Sequence, residues 1–185
     1  MTNSSGARNE RLRPIRGTLK AGFNIENSYN NKHIQSIRVE LKGEKMECKV
    51  KWVGPDDMSF IAETESGHAF VMDGAAEGGG RNLGPRPMET VLAGTGGCTA
   101  YDVVLILKKS GQHVSACEVR LTSERAETDP KVFTKIHMHF VVRGKDLKPS
   151  MVESAIKLSH NKYCSASIML GKTAQISHDY ELIAD

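Results

Sequence analysis

Between Glu89 and Asp102 the chain carries no charged side chain, and the signals on either side of that stretch are those of a helix. Pro87 suits the first helical position, where its missing N–H costs nothing. Glu89 falls in the first turn, where a negative charge meets the positive end of the helix dipole. Lys108 and Lys109 fall in the last turn, and Gly111 is a natural C-terminal cap. A helix that is apolar all round over this length must be covered on nearly all sides. In a chain of 185 residues this predicts a central helix, wrapped by sheet or by a second copy of itself.

The segments around this helix alternate with period two. Cys48, Val50 and Trp52 alternate with Glu47, Lys49 and Lys51, which predicts a half-buried strand. Phe60–Ala62 and Ala69–Met72 add two more strands, separated by turns at Gly54-Pro55-Asp56-Asp57 and Glu65-Ser66-Gly67. Gly74 to Pro85 reads as a loop. Its Gly78-Gly79-Gly80 run lacks the Lys-Ser/Thr of a phosphate loop and reads as flexible. Beyond the helix, Cys117, Val119 and Leu121 alternate, as do Val132 to Val142. Helices are predicted from about Pro149 to Asn161 and from Ser165 to Leu170, and a last strand at 176–182. The order βββ-α-ββ-αα-β is an α+β fold of antiparallel sheets around a long buried helix.

Residues 1–45 read differently. They hold nine Lys/Arg and four Asp/Glu, a net +5, which leaves sixteen basic against eighteen acidic residues for 46–185. We therefore divide the chain into an N-terminal extension at 1–45, mostly disordered, and a folded domain at 46–185. The folded part has no basic excess that would suggest nucleic acid as a partner. No stretch approaches 18 uncharged apolar residues, and no secretory signal is visible, so a cytoplasmic protein without a membrane partner is expected. In that compartment the four cysteines are expected to be reduced: buried, catalytic or metal-bound.

Two of these cysteines stand apart. Cys98 lies mid-helix beside Gly96 and Gly97, with Gly94 one turn earlier. Each glycine costs a helix interior about 1 kcal/mol relative to alanine. Such a collar implies either close packing of another backbone or an opening to the sulfur, against the simpler reading of a small core residue. Cys164 sits just before a helix start, where exposed N–H groups favour a thiolate; a buried junction residue is the alternative. Cys48 and Cys117 fall on apolar strand faces and read as core. His160 and Cys164 could share a metal if the helix continued, but no second ligand pair is visible. His137 and His139 share a strand face that reads as solvated.

The residues Pro87-Met88-Glu89-Thr90-Val91-Leu92-Ala93, Gly96-Gly97-Cys98, Val119-Arg120-Leu121-Thr122, Lys162-Tyr163-Cys164-Ser165 and Ile176-Ser177-His178-Asp179-Tyr180-Glu181-Leu182 resemble the OsmC/Ohr family, most closely its YhfA-like branch, over about 46–185. The resemblance implies an intertwined homodimer with active sites at the subunit interface. It also implies a thiol-dependent peroxidase that reduces an organic hydroperoxide. Cys98 would form a sulfenic acid, Cys164 would resolve it to a disulfide, and an external dithiol would restore both thiols. No metal or flavin cofactor is needed. In the family's peroxidases a glutamate ten residues before the first cysteine pairs with a hairpin arginine. Here that position is Met88, the acid is Glu89, and the hairpin turn has no arginine. Glu89 is taken as the third site residue, with Arg81 or Arg86 as a substitute partner. Ser165 stands where many relatives carry proline. These departures leave a second reading open: a non-enzymatic, redox-responsive or small-ligand-binding member of the family.

Overall fold

The computed structural model describes residues 45–185, so the extension expected at 1–45 lies outside the described residues except for Lys45. Three short strands come first: β1 (Cys48–Trp52), β2 (Ser59–Thr64) and β3 (Ala69–Asp73). They form an antiparallel meander in the order β1-β2-β3, with Trp52 opposite Phe60 and Phe60 opposite Met72. A loop leads to the long helix α1 (Pro87–Lys109), then to β4 (His113–Arg125) and β5 (Phe133–Lys145). Helices α2 (Pro149–Leu158) and α3 (Ser165–Leu170) follow, and β6 (Gln175–Ala184) closes the chain.

The second sheet runs β4-β5-β6. Its β4–β5 pair is antiparallel, as expected, but β6 lies parallel to β5, with Tyr180 opposite Phe140. The physical reason is the connection. Parallel neighbours need a crossover of a dozen or more residues, and α2 and α3 supply it. Alternation of side chains reports which residues share a face and carries no information on strand direction.

The core lies between this sheet and the helices. Val103 and Leu107 of α1 meet Ile136, Met138, Phe140 and Val142 of β5 and Val152, Ala155 and Ile156 of α2. Full burial of such side chains contributes about 1.5–3 kcal/mol each. The sequence places them correctly, because β5 alternates and α2 carries its apolar residues at helical spacing.

Helix α1 begins and ends where the capping signals put it. The Glu89 carboxylate accepts the Arg86 N–H at 2.9 Å, and Gly111 adopts a left-handed φ of +74°. Its cover differs from expectation. Only one stripe, Thr95, Gly96, Thr99, Val103 and Leu107, is buried; Val91 lies on the open side, and Tyr101 is 68% exposed. Among the described residues β4 and α2 pack against one face, and none is laid on the other. By length and composition α1 is the one helix among the described residues able to cross a membrane, yet its inner face is occupied by protein and Asp102 interrupts it. Strand β1 is likewise exposed at every residue rather than half-buried.

The loop between β3 and α1 is held, and the Gly78-Gly79-Gly80 run that reads as flexible is held with it, the Gly78 and Gly80 N–H groups donating to the Ala75 carbonyl at 2.9 and 3.0 Å. The buried Asp73 carboxylate accepts the N–H groups of Gly74, Arg81 and Leu83 at 2.7, 3.0 and 2.9 Å. These bonds, that from Leu83 foremost, hold its carboxyl below the usual range.

Candidate functional site

Cys98 and Cys164, 66 positions apart in the chain, are brought together by two local features. The first is the helical turn of α1, which puts Cys98 and Asp102 on one face. The second is a single π-helical turn, Ser159–Tyr163, between α2 and α3. There the Cys164 N–H reaches back to the Ser159 carbonyl at 2.9 Å. Such turns insert an extra residue and recur at functional positions. The chain then enters α3 with Cys164 as N-cap, as the sequence predicts.

The Cys98 sulfur, an Asp102 carboxylate oxygen and the Cys164 sulfur all lie within 4.8 Å of one another. Cys164 is fully buried, while Cys98 is only partly so. Ser167 donates to the Cys164 sulfur twice, from its N–H at 3.4 Å and its hydroxyl at 3.2 Å. On the other side, the Ser159 hydroxyl donates to Asp102 at 3.1 Å and meets the Thr99 hydroxyl at 3.0 Å. One hydrogen per hydroxyl suffices if Thr99 donates to Ser159.

Burial pushes the Cys98 thiol above its ordinary range. Its hydrogen bond with Cys164 and the negative charge of Cys164 and Asp102 push the same way, while the Ala166 N–H opposes them. The resting site therefore favours the thiol at Cys98.

Glu89 is not part of this cluster. It precedes Cys98 by nine residues, which is two and a half turns and about 13 Å of rise, on the opposite face of the helix. Its carboxylate caps α1 through Arg86 and lines an open hollow of about 440 Å³ with Arg86, Leu92, Arg125 and Phe133. Arg81 pairs with Asp57. That guanidinium and, more strongly, the Ser59 hydroxyl and N–H hold the Asp57 carboxyl low. Among the described residues no arginine hydrogen-bonds Cys98.

The remaining candidates separate as follows. Cys48 is exposed rather than core, whereas Cys117 packs against the core and burial raises its thiol. His160 faces His178, with ring centroids 5.8 Å apart, and the side chain that stands with the two sulfurs is Asp102. His139 donates to Asp179 at 2.6 Å on the outer sheet face, and His137 meets Ser177. The sequence reading missed Asp102, Ser159, Thr99 and Ser167. Asp102 was discoverable: it stands four residues after Cys98 and ends the uncharged run.

A long helix against a mixed sheet, with two thiols facing each other at its centre, defines the class of protein. The family model described as OsmC-like protein matches residues 78–179, and the chain belongs to the OsmC-like family. Its likeness to protein YhfA of Escherichia coli K12 is 48% identity over 139 residues, 75% of this chain and 99% of that protein. A hypothetical protein from Aquifex aeolicus VF5 superposes with a TM-score of 0.67 at 26% identity, covering 77% of this chain and 99% of its own. The organic hydroperoxide resistance protein OsmC of Legionella pneumophila shares the fold at a TM-score of 0.55 and 15% identity, over 75% of this chain and 97% of that one.

Proposed function

We propose that this chain is a thiol-dependent peroxidase that reduces organic hydroperoxides and needs no cofactor. The observation that carries the reading is the approach of two free sulfurs, Cys98 and Cys164, within 4.8 Å in a sheltered site. A disulfide requires about 2.05 Å between sulfurs, so side-chain-scale movement closes the gap. Their unequal burial supports the division of roles: a hydroperoxide reaches the half-buried Cys98 before the fully buried Cys164.

In the first step the Cys98 sulfur attacks the terminal peroxide oxygen. The O–O bond breaks, the alkoxide takes a proton and leaves as an alcohol, and Cys98 becomes a sulfenic acid. The Ala166 N–H favours the attacking thiolate, and the adjacent Asp102 carboxylate is placed to accept the thiol proton. In the second step Cys164 attacks the Cys98 sulfur and water departs, leaving a disulfide. An external dithiol restores both thiols, which suits a cytoplasmic location. Glu89 has a capping role in this scheme, so the acid next to sulfur is Asp102.

The working unit is a homodimer. Gly94 and Gly97 present open space on the outer side of α1, beside the exposed Val91 and Tyr101. A second α1 laid there supplies the missing cover.

A second reading has its own support. With no arginine among the described residues bonded to Cys98 and burial raising its thiol, the site also suits a slow redox-responsive module or a binder of small apolar ligands. Steady-state consumption of cumene hydroperoxide with a dithiol reductant separates the two. The peroxidase reading expects turnover by the wild type and none by Cys98→Ser. Equal consumption by both sinks it, and negligible turnover with reproducible ligand binding favours the second reading.

A further inference from the structure

We propose that Cys98, Asp102 and Cys164 form a binding site for a thiophilic divalent cation of the zinc class, occupied in competition with oxidation of the two sulfurs. The inference uses the same side chains as the peroxidase reading but does not require turnover.

The donor set is suited to such an ion. Thiolate sulfur selects zinc-like cations over magnesium or calcium, and a carboxylate completes a mixed S₂O set. Zinc bonds of about 2.3 Å to sulfur and 2.0–2.2 Å to oxygen place neighbouring tetrahedral donors roughly 3.5–3.8 Å apart. The three donor atoms already stand within 4.8 Å of one another, so contraction by about 1 Å closes the set. A fourth position remains for water on the half-buried Cys98 side.

The outer shell is also in place, and outer-shell hydrogen bonds orient ligands and tune affinity. Ser159 holds the Asp102 carboxylate and is itself met by Thr99. Both the Ser167 N–H and hydroxyl point at the Cys164 sulfur, and the Ala166 N–H at that of Cys98. Cys98 and Asp102 are one turn apart on α1, and Cys164 is fixed as the N-cap of α3. Two thiols that become anionic on metal binding share one site with a carboxylate, and no lysine or arginine among the described residues hydrogen-bonds any of the three. A divalent cation supplies the missing positive charge and displaces the thiol protons.

Binding and oxidation exclude each other. When a hydroperoxide oxidises the liganded pair, the two thiolates form the S–S bond and pass two electrons to the O–O bond. The peroxide takes two protons from solvent and leaves as alcohol and water, and the cation is released.

The test is a cobalt(II) titration of the full chain, reduced with a phosphine and kept without oxygen. One equivalent is expected to give sulfur-to-cobalt charge-transfer absorption and the visible bands of a tetrahedral site, both displaced by zinc. A Cys48→Ser/Cys117→Ser double variant keeps the signal, Cys98→Ser and Asp102→Asn lose it, and Ser159→Ala weakens binding about tenfold. Oxidising the wild type to the disulfide must also abolish it, a check independent of whether any variant folds. No charge-transfer band in the wild type, or an unchanged band in Cys98→Ser or in the oxidised chain, overturns the proposal. Hydroperoxide turnover measured in excess chelator stands apart, so either reading can fail while the other survives.

Discussion

The β1–β3 meander and the β4–β6 half share the same alternating grammar, yet only one of them is covered. In the second half, β5 buries Phe133, Ile136, Met138, Phe140 and Val142 against α1 and α2. In the meander, Val50, Trp52, Phe70 and Val71 remain exposed, Trp52 at 54%. Strand alternation states which side chains share a face; whether that face is buried depends on a second layer. One chain supplies that layer for the β4–β6 sheet. Among the described residues nothing lays a second layer on the meander or on the outer side of α1, and a second copy provides it in the dimer we propose.

The largest expected contrast is in stability. Phe140→Ala removes a fully buried ring and should destabilise the fold by about 3–5 kcal/mol, read as a shift in denaturant midpoint. Trp52→Ala should barely move that midpoint for the dissociated chain. An equal loss from both would mean that the two layers are covered alike.

Association should show the reverse pattern. Tyr101→Glu, on the open side of α1, should weaken self-association by about 2 kcal/mol or more. Sedimentation equilibrium would show the change while the far-ultraviolet spectrum stays native. A monomeric wild type, or a variant that dimerises as well as the wild type, breaks the comparison.

The loop that joins the two halves gives a smaller effect. Asp73→Ala removes the acceptor for three N–H groups, so residues 74–83 should become susceptible to limited proteolysis while the β4–β6 core resists. Cleavage at the wild-type rate would deny Asp73 its anchoring role.

The smallest effect concerns His178. Burial lowers its pKa, aided by His160, Lys157 and His137 and opposed by Asp179. The folded state thus prefers the neutral ring. Its contribution is present above the ordinary histidine pKa of 6.5 and declines as pH falls below it. His178→Gln should flatten the loss of stability between pH 7.5 and 5.0, seen in denaturant midpoints.

Much of this was legible from the chain. Proline, glutamate, lysine and glycine marked the ends of α1 because helix termini impose local hydrogen-bonding demands. Cys164 was placed before α3 by the same logic. The site was only half legible. Glu89 is the acid nearest the family's glutamate position, but nine residues along a helix reverse the face, and the structure uses it as a cap. Asp102 has the right periodicity and was passed over as the end of an apolar run. Ser159 reaches Asp102 from a π-turn and Ser167 reaches the Cys164 sulfur from a short helix, and no periodicity announces either. The parallel β5–β6 pair was hidden because face alternation is blind to direction, and the exposure of β1 because a strand pattern does not say what lies above it.

The most direct measurement is peptide mapping by mass spectrometry after the reduced full chain meets one equivalent of cumene hydroperoxide. The account predicts a linked pair of peptides containing Cys98 and Cys164, with Cys48 and Cys117 still free. Unmodified thiols at both positions, or a bond from Cys98 to any other cysteine, would contradict it.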